Sequence, residues 1–141
     1  MKVKELTNAP QWLIDAIVED EDVVISESGR VTWCDGVWRG GEWCGGEWRS
    51  GVWRGGEWCG GVWRGERITK PLVSVSGLSH WSVTISDTRM QIGCELHSFA
   101  EWNEFDDARI VQMDRQALRF WREHKATLIA LCATRAVQVS P

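Results

Sequence analysis

The chain has none of the long apolar runs that a membrane span or an export signal requires. No stretch of its 141 residues approaches the roughly 20 apolar residues needed to cross a bilayer. The first twenty residues contain neither an apolar signal core nor a small-residue cleavage site. We therefore expect a cytoplasmic protein that does not bind a membrane. Its five cysteines are an odd number and are predicted to be free thiols.

The chain also lacks a basic surface. Its net charge is −4, and residues 1–30 hold three Lys/Arg against seven Asp/Glu, whereas residues 31–67 and 68–141 are each balanced. The excess lies mainly in the run 19–22, which is either a hook for a basic partner or the solvated end of a helix. Direct nucleic-acid binding is therefore not expected.

Sequence motifs of enzymes are missing as well. There is no phosphate-binding glycine loop, no paired-histidine zinc motif and no serine nucleophile elbow. Cys34, Cys44 and Cys59 are spaced by ten and fifteen residues, which matches no zinc pattern, so packed thiols are predicted and no metal or cofactor. Cys94 and His97 would point to opposite faces of a strand, which does not form a catalytic pair. We predict that the protein is not an enzyme.

What the chain does have is seven tryptophans spaced five residues apart. They occupy positions 33, 38, 43, 48, 53, 58 and 63, in the frame GVWRG GEWCG GEWRS GVWRG GEWCG GVWRG. Such strict repetition indicates one structural unit copied along an axis.

Every tryptophan from position 38 to position 63 is preceded, two residues earlier, by a glycine. In this the repeat, residues 33–67, resembles the pentapeptide-repeat family, whose members normally place Leu or Phe and a small residue such as Ala at the two positions. The resemblance covers about a quarter of the chain. It implies a right-handed square β-helix in which four pentads form a coil of 20 residues and the tryptophans point inward. Each buried indole N–H would then need an acceptor from turn carbonyls or water.

A coil of 20 residues sets which outer side chains stack. Cys34 would lie near Arg54, Arg39 near Cys59, and Cys44 near Arg64.

A second architecture also satisfies the period. The Gly-Gly pairs can act as two-residue hairpin turns, which gives a meander of three-residue strands with Arg39 opposite Glu42. Of the two we favour the β-helix. In either case burial of the indoles is predicted, because an exposed row of seven, though able to stack on bases or sugars, would promote aggregation.

The fold class predicted for the whole chain is mainly β with α, in three regions. Residues 1–30 form an N-terminal helix and acidic cap, 31–70 the Trp/Gly repeat, and 71–141 a β-β-β-α-α capping and assembly region. Because fewer than two coils bury too little surface to offset their ordering entropy, the three regions are expected to form one cooperative unit, and residues 31–70 alone to be unfolded.

The flanking elements can be placed from their patterns. Apolar residues at helical spacing predict a helix over 8–18, and Ser98 with Glu101 forms a capping box. Alternating apolar residues predict strands over 72–78, 81–87 and 90–96. A longer helix is predicted over 114–135.

Six residues are predicted to contact a partner. Four arginines follow a tryptophan and form either a guanidinium array for an acidic partner or phosphate, or a solvated face paired with glutamates. Trp102 and Trp121 belong to C-terminal helices richer in aromatic residues than a small core requires, which predicts a homo-oligomer. The four arginines are Arg39, Arg49, Arg54 and Arg64.

These features predict a non-enzymatic protein-binding module, self-associating and of bacterial or phage type. The family resemblance implies an alternative, because some pentapeptide-repeat proteins are similar in shape to DNA and inhibit or protect DNA-handling enzymes such as gyrase; an anti-defence factor is one version of it. A third hypothesis is a small-ligand binder that holds a nucleotide between Trp and Arg.

Overall fold

A computed structural model describes residues 1–137 and shows a mixed β and α protein. The chain divides into two compact units, Met1–Ser74 and a second that begins at Val75. Each is described separately. That the regions unfold as one cooperative unit stays a prediction.

The first unit consists mainly of short strands. Its last complete strand is β8, and β9 crosses the boundary between the units. A 3-10 helix spans Val3–Glu5 and a single α-helical turn follows. The elements are α1 (Gln11–Ile14), β1 (Ile17–Ile25), β2 (Val31–Gly40), β3 (Glu42–Trp43), β4 (Glu47–Trp48), β5 (Val52–Trp53), β6 (Glu57–Trp58), β7 (Val62–Trp63), β8 (Glu66–Arg67) and β9 (Val73–Val75).

Of the helix predicted over 8–18, the structure contains the single turn Gln11–Ile14, and the prediction is wrong for the rest. The chain leaves α1 at Ile14 and enters β1, which pairs antiparallel with β2 from Ile17↔Gly40 to Ile25↔Val31. The β-branched residues of this segment favour a strand once a partner strand is available. The acidic run 19–22 therefore lies in a bulged strand and does not follow a helix end.

The short tryptophan strands pair in parallel with strands fifteen residues away. The register joins Trp33 to Trp48, Trp38 to Trp53, Trp43 to Trp58 and Trp48 to Trp63. The predicted 20-residue register is therefore wrong, and so is the antiparallel meander for these strands. Within the repeat, a two-residue hairpin lies at the end of the block, where β7 and β8 pair around Arg64 and Gly65.

Six glycines of the repeat have a backbone conformation that other residues rarely adopt. The glycines two residues before Trp38, Trp43, Trp48, Trp53, Trp58 and Trp63 have φ between +105° and +115°. Alanine, which the resembling family uses here, does not adopt this conformation without strain. The backbone at these positions therefore requires glycine, and each strand meets its partner after three pentads instead of the predicted four.

The seven indoles form the core of the unit, as predicted. None is more than 4% exposed. Rings fifteen residues apart stack, with centroids 4.8 to 5.5 Å apart, and consecutive rings meet edge to face at 5.6 to 5.8 Å. Trp12 extends this packing against Trp38 and Trp43.

Protein groups do not supply the acceptors expected for the indole N–H groups. Among the described residues, no protein atom accepts a hydrogen bond from the buried Nε1 atoms of Trp33, Trp38, Trp43, Trp48 and Trp58. Each buried donor left in this state costs about 1–3 kcal/mol. In the repeat, close packing of the aromatic rings is therefore combined with buried N–H donors that lower its stability.

The second unit joins a small antiparallel meander to three helices. Its elements are β10 (Val83–Ile85), β11 (Arg89–Ile92), β12 (Glu95–Ser98), α2 (Phe99–Glu104), α3 (Asp107–Val111) and α4 (Ala117–Val137). The strand predicted over 90–96 is split by a turn at Gly93, and the predicted capping box at Ser98 and Glu101 is confirmed.

The core of this unit lies between the meander and the helices. Its fully buried side chains are Val83, Ile85, Met90, Trp102, Ile110 and Leu128. None of the helices within residues 1–137 combines the length and the apolarity of a membrane span.

Candidate functional site

The outward positions of the repeat fall into three columns. Because each tryptophan points into the core, the residues before and after it point outward. The mixed face comprises Thr32–Cys34, Glu47–Arg49 and Val62–Arg64; the arginine face comprises Val37–Arg39 and Val52–Arg54; the thiol face comprises Glu42–Cys44 and Glu57–Cys59.

These columns correct the stacking predicted from a 20-residue coil. Arg39 lies in the column of Arg54, Cys44 in that of Cys59, and Cys34 in that of Arg49 and Arg64. Equal numbers of acidic and basic residues in the repeat therefore do not mean an even surface. The arginine face has no acidic residue of its own, and the thiol face has no basic one.

The four arginines of the repeat lie in two columns, Arg39 with Arg54 and Arg49 with Arg64. Arg39 pairs with Glu19 at 2.6 Å and Arg49 with Glu47 at 2.9 Å; Glu47 is half-buried, and the other three side chains are exposed. Such pairs add little stability, because water and salt screen them. Arg54 is exposed beside Arg39, and Arg64 is half-buried at the end of the mixed face. The pairing of Arg49 with Glu47 agrees with the expectation that arginines of the repeat pair with its glutamates.

The thiol face brings together groups that can bind a metal ion. The Sγ atoms of Cys44 and Cys59 and a carboxylate oxygen of Glu42 all lie within 4.8 Å of one another, and all three side chains are exposed. Desolvation, followed by the neighbouring Cys59 and Glu42, raises the pKa of the Cys44 thiol. Glu57 occupies the rung beside Glu42, so two carboxylates adjoin two thiols.

Trp102 and Trp121 are core residues of the second unit and do not form the exposed aromatic surface that was predicted. Both are at most 4% exposed, and the Nε1 of Trp102 donates to the Met90 carbonyl oxygen at 2.7 Å. Together with Trp81 and Phe120 they line an apolar cavity of about 90 Å³. No arginine lines it, so it does not provide the Trp–Arg nucleotide sandwich considered above.

Cys94 and His97, considered above as a catalytic pair, have different surroundings. His97 lies on β12 with its Nε2 atom 2.7 Å from Glu95 and its ring against Trp102 and Phe105. Cys94 is exposed in the turn before that strand.

Sequence reasoning missed the thiol face, although a signal was present. The pentad GEWCG occurs twice, at 41–45 and 56–60, and the two copies are fifteen residues apart. Fifteen is the distance between paired rungs, so identical pentads stack on one another. A coil of 20 residues would put Cys44 and Cys59 on different sides, so the predicted coil does not bring the two thiols together.

Comparison with known proteins reveals no relative: no protein-family model, no curated protein and no solved structure matches the chain. The assignment of function therefore depends on the geometry alone.

Proposed function

We propose that the repeat forms a short, three-sided β-helix and that the chain is a non-enzymatic protein-binding module that self-associates. The supporting observation is the separation of charge between the arginine face and the thiol face. Each face repeats its charged side chain on successive rungs of a parallel ladder. The two are therefore complementary in both charge and spacing.

The rungs of such ladders lie about 4.8 Å apart, whichever face they are on. Arg39 and Arg54 of one copy can therefore meet Glu42 and Glu57 of a second copy without rearrangement of either backbone. Guanidinium–carboxylate contacts of this kind can be bidentate, which gives orientation as well as attraction.

Apolar surface adds to the charge. Val37 and Val52 are half-buried on the arginine face, next to the two arginines. Arginine flanking a small apolar patch is typical of protein interfaces, where charged groups concentrate at the rim. Association of one face with a different face is head to tail, so it closes into a ring or continues as a chain.

Stiffness of the block supports the same role. Stacked and edge-to-face indoles hold every rung from inside, so the outer side chains start from fixed positions. A surface that is already organised loses less conformational entropy on binding.

A charge-exchange experiment tests this proposal. Sedimentation velocity of the wild type at increasing concentration should show association that weakens with added salt. R39E/R54E and E42R/E57R should each be monomeric, because each then has two faces of like charge. Mixed in equal amounts, they should associate again.

R115E/R119E is the matched control, since it reverses two exposed arginines in the second unit and should associate like the wild type. A wild type that stays monomeric at all concentrations, or a mixture that does not associate, contradicts the proposal.

A further inference from the structure

The two cysteines of the thiol face take no part in the proposed self-association, whereas Glu42 of the same face does. The identical strands Glu42–Cys44 and Glu57–Cys59 lie in parallel register, and the Cys59 amide donates to the Trp43 carbonyl oxygen at 2.8 Å. Trp43 and Trp58 stack beneath them with centroids 5.4 Å apart and are almost completely buried. The two cysteines are thus fixed side by side on a rigid support.

Three potential ligand atoms converge there. The two Sγ atoms and a Glu42 carboxylate oxygen lie within 4.8 Å of one another. Two thiolates bound to the same zinc ion at about 2.3 Å in tetrahedral geometry are about 3.8 Å apart. The two Sγ atoms lie at most 4.8 Å apart, and all three side chains are exposed.

We propose that Glu42, Cys44 and Cys59 bind one thiophilic divalent cation of the zinc type, with water in the fourth position. Thiolate ligands select zinc-type ions over magnesium or calcium, which prefer oxygen. A cation also offsets the repulsion between the thiolates, which bind it, and the adjacent carboxylates of Glu42 and Glu57. On binding, each thiol releases its proton to solvent, so the affinity decreases as the pH falls.

Such a site would not be needed for folding. The core beneath it consists of indoles, and the three ligands are on the surface. Loss of the ligands should therefore abolish binding without unfolding the unit. This separates the site from structural zinc sites, whose removal unfolds the domain.

Cobalt(II) is the probe for the experiment, because a tetrahedral cobalt–thiolate complex absorbs visible light and tryptophan does not. Titration of the reduced, full-length protein under argon should produce this absorption with one equivalent of Co²⁺. Added Zn²⁺ should displace it. In C44S and in C59S the apparent affinity for Co²⁺ should decrease at least about tenfold. Substitution of residues that only support metal ligands already lowers affinity by about that factor.

C94S is the matched control, because Cys94 is an exposed cysteine of the other unit. It should bind Co²⁺ like the wild type. Near-ultraviolet circular dichroism of the indoles verifies that each variant is folded. Absorption that persists in C44S/C59S, or that is absent from wild-type protein whose thiols titrate as reduced, overturns the proposal. The titration is carried out at high salt, where the proposed self-association is weakened and does not compete for Glu42, so failure of one proposal is distinguishable from failure of the other.

Discussion

The carbonyl oxygen of Gly41 occupies the place that a β-carbon on Gly56 would need. The same oxygen accepts the Glu57 amide hydrogen at 3.0 Å, so it cannot move away without loss of a rung. Gly56 also has a φ of +107°. Glycine is required here both by its backbone conformation and by the closeness of the neighbouring strand.

Gly56→Ala should therefore destabilise the first unit by about 2–5 kcal/mol, from backbone strain and overpacking together. Gly55→Ala is the matched control, since its β-carbon would lie 3.6 Å from the nearest atom, the Arg39 carbonyl oxygen. It should change stability by no more than about 1 kcal/mol. Urea denaturation followed by tryptophan fluorescence measures both, and equal midpoints would contradict the argument.

Trp43→Phe should cost less free energy of unfolding than Trp102→Phe, although both side chains are buried. The first removes an indole N–H that has no acceptor, and the second breaks the hydrogen bond to the Met90 carbonyl oxygen. Removing an unsatisfied donor recovers about 1–3 kcal/mol, which offsets lost packing.

Native-state hydrogen exchange of amides in each unit gives the two free energies separately. A larger loss for Trp43→Phe would mean that its N–H has a favourable partner after all, such as the face of a neighbouring indole.

The capping box of α2 should respond to pH. Hydrogen bonding to the Ser98 backbone and then to its side chain lowers the pKa of Glu101 from the ordinary 4.5. A carboxyl whose pKa is lowered on folding stabilises the native state above the unfolded-state pKa, and this contribution is lost as the pH falls through the folded-state pKa.

Nuclear magnetic resonance titration of Glu101 should therefore give a midpoint below 4.5. In Ser98→Ala the midpoint should move toward the ordinary value, and the helix should lose about 1 kcal/mol from its N-cap. An unchanged midpoint in that variant would leave the backbone hydrogen bond as the sole cause.

Cys132 should resist thiol reagents in the native protein. Burial raises its pKa to about 11, and its Sγ atom lies 3.8 Å from the Met90 sulfur. At pH 8 it is protonated and inaccessible, so it should react only after unfolding, whereas the exposed Cys94 reacts at once.

The same shift predicts a stability change at high pH. The unfolded thiol ionises from about 9, so the native state should lose stability as the pH rises from there through the folded-state value of about 11. Cys132→Ala removes this dependence. Identical stability profiles for the two proteins between those pH values would contradict it.

Burial of the tryptophans could be predicted from sequence, because seven exposed indoles in a row are incompatible with a well-behaved surface. The number of pentads between paired strands could not. It depends on the backbone angle at glycines such as Gly51 and Gly56, whose φ values are +111° and +107°. Sequence spacing alone does not contain that angle.

The remaining differences follow from tertiary pairing. Ile17 fits a helical stripe and also a strand, and β2 supplies the partner that favours the strand. The proximity of Cys44 to Cys59 follows from a coil length that had to be known first. Helix patterns do not show which aromatic residues a second set of elements will cover. The prediction therefore placed Trp102 and Trp121 at a surface, whereas they lie in the core and line its cavity.

The fifteen-residue register also restricts how such a gene can change length. Gain or loss of three pentads returns every later residue to the same side of the block. Gain or loss of one pentad moves every later residue into a different column and places arginines over cysteines. Natural variation in repeat number that preserves the surface should therefore occur in steps of three.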